Sequence, residues 1–258
     1  MSNYTLSQKN ILWQRFCSYQ PAIYSAALLV ILTIFVLSAP LIELWMGHDA
    51  NQVNLFNRYL PPSIINPLGT DELGRDLFIR LLYGGRTSLV VGIVAGLCAT
   101  ILGISIGLTA GYFGGFCDGF LMRLTDSVIS LPLLPLLIVL AAIDLTKLGF
   151  SEIISESEGS SFYRIVVIVA LFSWTTVARL VRAGTLSLKE QSFIKAAEAQ
   201  GVGYFRIMLV HILPNLASPI IVASTLAVGN IILLESVLSF LGLGIQPPIP
   251  SWGNLLSN

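Results

Sequence analysis

The feature that leaves this chain the fewest options is a set of five long apolar runs, at about Ala22 to Ala39, Ser88 to Ala110, Leu124 to Ile143, Tyr163 to Val181 and Ile212 to Leu243. A helix needs roughly 20 such residues to cross the hydrocarbon layer of a bilayer. Within lipid the backbone must satisfy its own hydrogen bonds, so runs of this length read as membrane-spanning helices. Pro40 to Trp45 lengthen the first run to a full crossing, and Pro132 with Pro135 predicts a kink in the third. The composition fits. Charged residues make up 11% of the 258, where a soluble domain carries about 25%. Fourteen basic residues are balanced by fourteen acidic ones, which leaves no cationic surplus for a phosphate backbone. The lipid bilayer is therefore the expected partner, and nucleic acid is excluded. The fold class is all-α, a polytopic membrane helical bundle without a separate soluble domain.

Residues 1–21 read as a retained cytoplasmic tail, too polar for a signal peptide. Residues 22–45 form the first span and residues 46–87 an extracytoplasmic segment. Residues 88–258 form a core of four spans, with a cytoplasmic loop at 186–211 and a final loop at 244–258. An amino terminus inside places eight of the fourteen basic residues in the cytoplasm, including Arg179, Arg182, Lys189 and Lys195 close to span ends. An acidic loop with Glu152, Glu156 and Glu158 then lies outside. Cys17, Cys98 and Cys117 show no paired spacing and read as small packing residues, with neither a disulfide framework nor a metal site.

The second span carries Gly92, Gly96, Gly103, Gly107 and Gly111 at four-residue intervals within each set, a small-residue stripe that lets another backbone come close. Gly103 to Gly107 also matches GxSxG, but mid-helix and far from either histidine it cannot be a nucleophile elbow. No catalytic residue is expected. The chain has no GxxxxGK[ST] loop, so ATP and Mg, if used, would sit on partner chains and no cofactor on this one. Glu235 is the deepest carboxylate in any span; with Asn230 it is a candidate for the translocation path or the bundle interior. A secondary transporter or channel is the alternative reading, although inverted repeats and coupling carboxylates are missing from the sequence.

The loop at 186–211 is helical in composition up to Gln200 and is ended by Gly201. Phe193, Ala196, Ala197 and Gln200 share a small, flat face suited to a groove on a partner. Ala196-Ala197, Gly201 and Leu213-Pro214 resemble the EAA loop of bacterial ABC-importer permeases, with Lys195 in the leading Glu position and His211 where Ile is usual. Gly69-Thr70-Asp71-Glu72-Leu73-Gly74-Arg75-Asp76 and the stretch Glu235 to Gly244, with Pro250 to Asn254 behind it, are similar to the dipeptide, oligopeptide and nickel branch of that family.

The resemblance implies a type I ABC importer transmembrane domain in a bacterial inner membrane. It would pair with a second homologous permease, two ATPase subunits and a solute-binding protein, and would import peptides or a related small solute such as nickel. Lys195, Ala196, Ala197, Glu198, Gly201, Leu213 and Pro214 would couple to the ATPases. Gly69, Thr70, Asp71, Gly74, Arg75 and Asp76 would form an exposed outer docking segment. Locally that segment also reads as a capped turn, with Thr70 or Asp71 as the cap and Asp76–Arg80 as an i,i+4 pair. The family has six spans where five are present here, so the resemblance further implies a C-terminally truncated chain.

Overall fold

The computed structural model describes residues 16–47, 49–142 and 160–257. Most of the expected tail and the acidic loop therefore lie outside the described residues. The chain divides into two compact units, one up to Arg86 and one from Thr87 onward. The helices are α1 (Gln20–Leu37), α2 (Ala39–Met46), α3 (Leu77–Phe113), α4 (Gly115–Ser130), α5 (Leu133–Ala142), α6 (Ser160–Ser173), α7 (Thr175–Lys189), α8 (Ser192–Ala199), α9 (Tyr204–Arg206), α10 (Ala217–Phe240) and α11 (Trp252–Leu255). Among the described residues, four helical stretches are long and apolar enough to cross a membrane, or five if the α4–α5 pair counts as one bent span.

In the first unit, Pro21 and Pro40 sit in the opening turns of α1 and α2, where the missing N–H is not needed. Most of α1 faces outward, with Leu28, Leu29, Ile31 and Leu32 exposed, as suits a helix solvated by hydrocarbon. Glu43 of α2 ties the unit together. Its carboxylate accepts from the Ala50 N–H at 2.9 Å and from the Tyr83 hydroxyl.

The second unit is built around α3. Gly92 and Gly96 face Ile232 and Val228 of α10. Gly103, Gly107 and Gly111 press against α7, where an added Cβ would lie 2.7 Å from the Cβ of Val177, Val181 and Thr185 respectively. One glycine stripe thus serves two helix contacts, and the absence of side chains is what permits both.

Of three expectations about helix boundaries and breaks, two are corrected by the structure and the third, the proline kink, is borne out. The helix that carries the second span starts at Leu77, eleven residues before Ser88, because the turns through Arg80 and Tyr83 bury Ile79 and Leu82 and need no lipid. The glycine break expected at Gly111 to Gly115 contracts to Gly114 and Gly115, the two with positive φ, since Gly111 is held in the stripe against Thr185. The proline kink is an 84° bend between α4 and α5. Pro132 pushes Leu131 into extended backbone (φ −77°, ψ 136°), and Pro135 falls harmlessly in the first turn of α5. The cysteines also differ from expectation: Cys17 and Cys98 are exposed rather than packed.

Two apolar clusters occupy opposite ends of this unit. One joins Val91 and Ala95 of α3 to Leu137, Ile165, Val169, Ile231, Leu238 and Ile245. The other joins Leu108 to Val177, Val181, Ile194, Ile207, Ile212 and Leu216. Ser88 and Tyr112, which mark the two ends, are separated by about 36 Å of α3.

Candidate functional site

At the Tyr112 end, α7 stops at Lys189, the chain turns extended at Gln191, and α8 runs for two turns. Gly201 at φ +77° closes α8, with its N–H on Glu198 C=O (2.9 Å) and the Val202 N–H on Ala197 C=O (3.1 Å). This is the paired-bond helix stop that a left-handed glycine allows. Ile194 and Ala197 point inward and are buried, whereas Phe193, Lys195, Ala196, Glu198 and Gln200 are exposed. The expected docking face therefore loses Ala197. Ile194, three residues earlier, draws that side of the helix into the apolar cluster and takes Ala197 with it.

Tyr112 holds the whole segment in place. Its hydroxyl donates to Glu198 at 3.0 Å, its carbonyl accepts from Lys189 at 2.6 Å, and the Lys189 ammonium lies 5.2 Å from its ring centroid. On the outer side Lys195 donates to Glu190 at 2.7 Å. That hydrogen bond, reinforced by the ammonium charge, holds the Glu190 carboxyl below its ordinary value. Arg182 of α7 forms a two-pronged ion pair with Asp118 of α4, and Arg179 pairs with Asp126 at 2.6 Å.

Beyond α9 the helix widens into a π turn over Ile207–Ile212 and tightens at Leu213–Leu216 before entering α10. Pro214 explains the irregularity. It lacks the N–H that would bond Val210 C=O, and Asn215 caps His211 C=O with its side-chain amide at 2.6 Å. Leu213 is half-buried and Pro214 exposed.

Midway along the unit lies an open cavity of about 580 Å³ between α5, the end of α6, α7 and α10. Among the described residues its wall is apolar except for Ser173, Thr175, Thr176 and Asn230, with no ionisable side chain in it. Asn230 and Glu235 are thus not one site. Five residues apart on a helix, they point about 140° from each other. Glu235 is fully buried, accepting from Ser88 Oγ and Ser239 Oγ, each at 2.7 Å. The Glu235–Ser239 pair is legible as i,i+4 spacing, but Ser88 carries no local signal of its role.

The acidic-basic motif of the first unit is placed differently from expectation. Thr70, Asp71, Arg75 and Asp76 are between 4% and 6% exposed, so their side chains are folded inside rather than presented to a partner. Asp71 accepts from the N–H groups of Leu73 and Arg75 and from Arg75 Nε at 2.7 Å, with Arg80 Nε at 3.7 Å. Asp76 caps α3 through the Ile79 N–H. The cap is therefore Asp76, not Thr70 or Asp71, and the i,i+4 pair is Asp71–Arg75, because Arg80 turns toward Asp71 and the Ala50 carbonyl. Gly69 and Gly74 both have positive φ, and a Cβ on either would strike the backbone of Leu60 or Asn54.

Residues 103–258 match the family described as binding-protein-dependent transport system inner membrane component. The chain is 39% identical over 253 residues to the oligopeptide transport system permease protein OppC of Escherichia coli, covering 96% of this chain and 78% of that protein. It is 40% identical over 230 residues to the dipeptide transport system permease protein DppC of Alkalihalophilus pseudofirmus, covering 89% and 71%. The Salmonella typhimurium OppC is 40% identical over 251 residues, covering 96% and 78%.

Proposed function

Because the chain belongs to the family of binding-protein-dependent transport system inner membrane components, we propose that it is a membrane-spanning permease subunit of an ATP-driven peptide importer. It works beside a second, homologous permease, two ATPase subunits and a solute-binding protein. The names of its relatives, oligopeptide and dipeptide permeases at 39–40% identity over most of the chain, support the substrate class. The observation that carries the mechanism is α8, a two-turn helix with one face buried in the chain's own apolar cluster and the other exposed, with Phe193, Lys195, Ala196 and Glu198 on it.

The outward face of α8, with Phe193, Lys195, Ala196, Glu198 and Gln200, docks on an ATPase in the cytoplasm. Ala197, Gly201 and Leu213-Pro214 support that surface from behind or at its edge. Movement of the docked ATPase is passed through Ile194, Tyr112 and Lys189 to α3 and α7, because a packed cluster moves as a body and does not deform smoothly. The cavity beside Asn230 lies along the route of the peptide, and its uncharged hydroxyls and amide suit a ligand whose constant feature is a peptide backbone. ATP and Mg are bound by the partner ATPases, and the covalent chemistry is theirs.

Uptake of a radiolabelled oligopeptide into membrane vesicles containing all five subunits tests the proposal. Accumulation that needs ATP and the binding protein is expected. Accumulation driven by a proton gradient without ATP would contradict it.

A further inference from the structure

A buried polar cluster of the second unit, which the docking face and the cavity do not use, joins three distant segments. Glu235 Oε2 accepts from Ser88 Oγ, which itself receives the Trp252 N–H at 3.3 Å. Glu235 Oε1 accepts from Ser239 Oγ, which receives the Ile245 N–H at 3.0 Å. Ser88 and Glu235 are completely buried and Ser239 almost so. The loop they hold is itself ordered: Ser251 and Asn254 cap α11 reciprocally, and Asn254 Nδ2 also donates to Ile249 C=O at 2.8 Å. Gly244 and Gly253 lie so close to Ser239 and Ser236 that a Cβ on either would overlap them.

We propose that Glu235 is the positioning residue for the segment 241–257, acting through Ser88 and Ser239 to weld it to α3 and α10 as a rigid lip at the end of the unit farthest from α8. A hydroxyl has one proton and two lone pairs. A carboxylate that only accepts draws that proton toward itself, which leaves the lone pairs of both serines facing the N–H groups of the loop. The carboxylate touches neither loop amide, yet it orients the acceptor of each. Placing the lip on the outside of the membrane rests on the proposed function. There it travels with α3 and α10 as one body when the bundle rocks, in place of flapping as a free loop.

The test uses the assembled transporter in nanodiscs, with Cys17, Cys98 and Cys117 changed to Ser and Ile245→Cys, at a position only 1% exposed, as the reporter of lip opening. Maleimide labelling is expected to be slow in this parent and about ten- to a hundredfold faster after Glu235→Leu, or after Ser239→Ala, each of which removes one charge-assisted hydrogen bond or more. Ser239→Ala is expected to add nothing once Glu235→Leu is present, because both act through one relay. A second reporter, Thr185→Cys, buried at the opposite end, is expected to stay protected in every variant. Unchanged labelling at 245 would overturn the proposal, as would multiplicative effects of the two substitutions. Loss of protection at both 245 and 185 would also overturn it, by showing that the carboxylate holds the bundle and not the lip. Labelling is read independently of import, so peptide uptake can fail without touching this result, and the reverse.

Discussion

At the residue scale the sharpest contrast is between two adjacent alanines. Ala196 is exposed and Ala197 is buried beside Ile194. Under the proposed function, Ala196→Arg should abolish co-purification of the ATPases while leaving thermal unfolding of the purified permease within about 0.5 kcal/mol of the parent. Ala197→Arg should cost about 3 kcal/mol or more, because it forces a charged, bulky side chain into a packed cluster. Equal effects of the two on stability would place the docking face elsewhere. The neighbouring Glu190–Lys195 pair is exposed and makes a weaker statement. Glu190 has a depressed folded-state pKa, so what the pair contributes is present above the unfolded carboxyl value of about 4.3 and is lost as pH falls through the lower folded value. Glu190→Gln is therefore expected to leave ATPase binding unchanged at neutral pH and to flatten any loss seen as pH falls below about 4.3, as a pull-down across pH would read.

At the element scale α3 sets the architecture, because its glycines fix how near α7 and α10 can come. Gly107→Ala would bring a Cβ to 2.7 Å from Val181 Cβ and closer still to the Ala178 carbonyl. Overpacking of this kind costs about 1–3 kcal/mol. Gly119→Ala, on α4 with nothing within 4 Å, should instead gain up to about 1 kcal/mol of helix propensity. Melting temperatures in detergent that move together for the two variants would contradict the close-approach account. Much of this was readable beforehand. The apolar runs mark the spans, the glycine spacing marks a stripe, and Gly201 marks the end of α8. Three things were not. The start of α3 at Leu77 hides in an amphipathic stretch whose charges are met by Asp71 and Ala50 from elsewhere in the fold. The inward turn of Ala197 depends on Ile194 winning the burial, which a face count that omits Ile194 misses. The Ser88–Glu235 bond joins residues 147 apart, and no local pattern encodes it.

At the scale of the whole molecule, the second unit works as a two-ended body. Under the proposed function, the face that docks on an ATPase at one end and the lip at the other are joined by α3 and α10, with the cavity beside Asn230 between them. Asn230→Cys should react with a small maleimide in the assembled transporter, and saturating transported peptide together with the binding protein should slow that reaction. A rate indifferent to peptide would remove the cavity from the route. The central claim is that force enters through the exposed face of α8. Cysteine cross-linking between α8 and the ATPase in an import-competent transporter measures this most directly. Ala196→Cys should form a cross-link with the ATPase that weakens or strengthens as ATP is bound and hydrolysed, while Ala197→Cys, turned into the chain's own core, should form none. A transporter that imports peptide while positions 193, 196 and 200 all fail to cross-link to an ATPase would contradict the account.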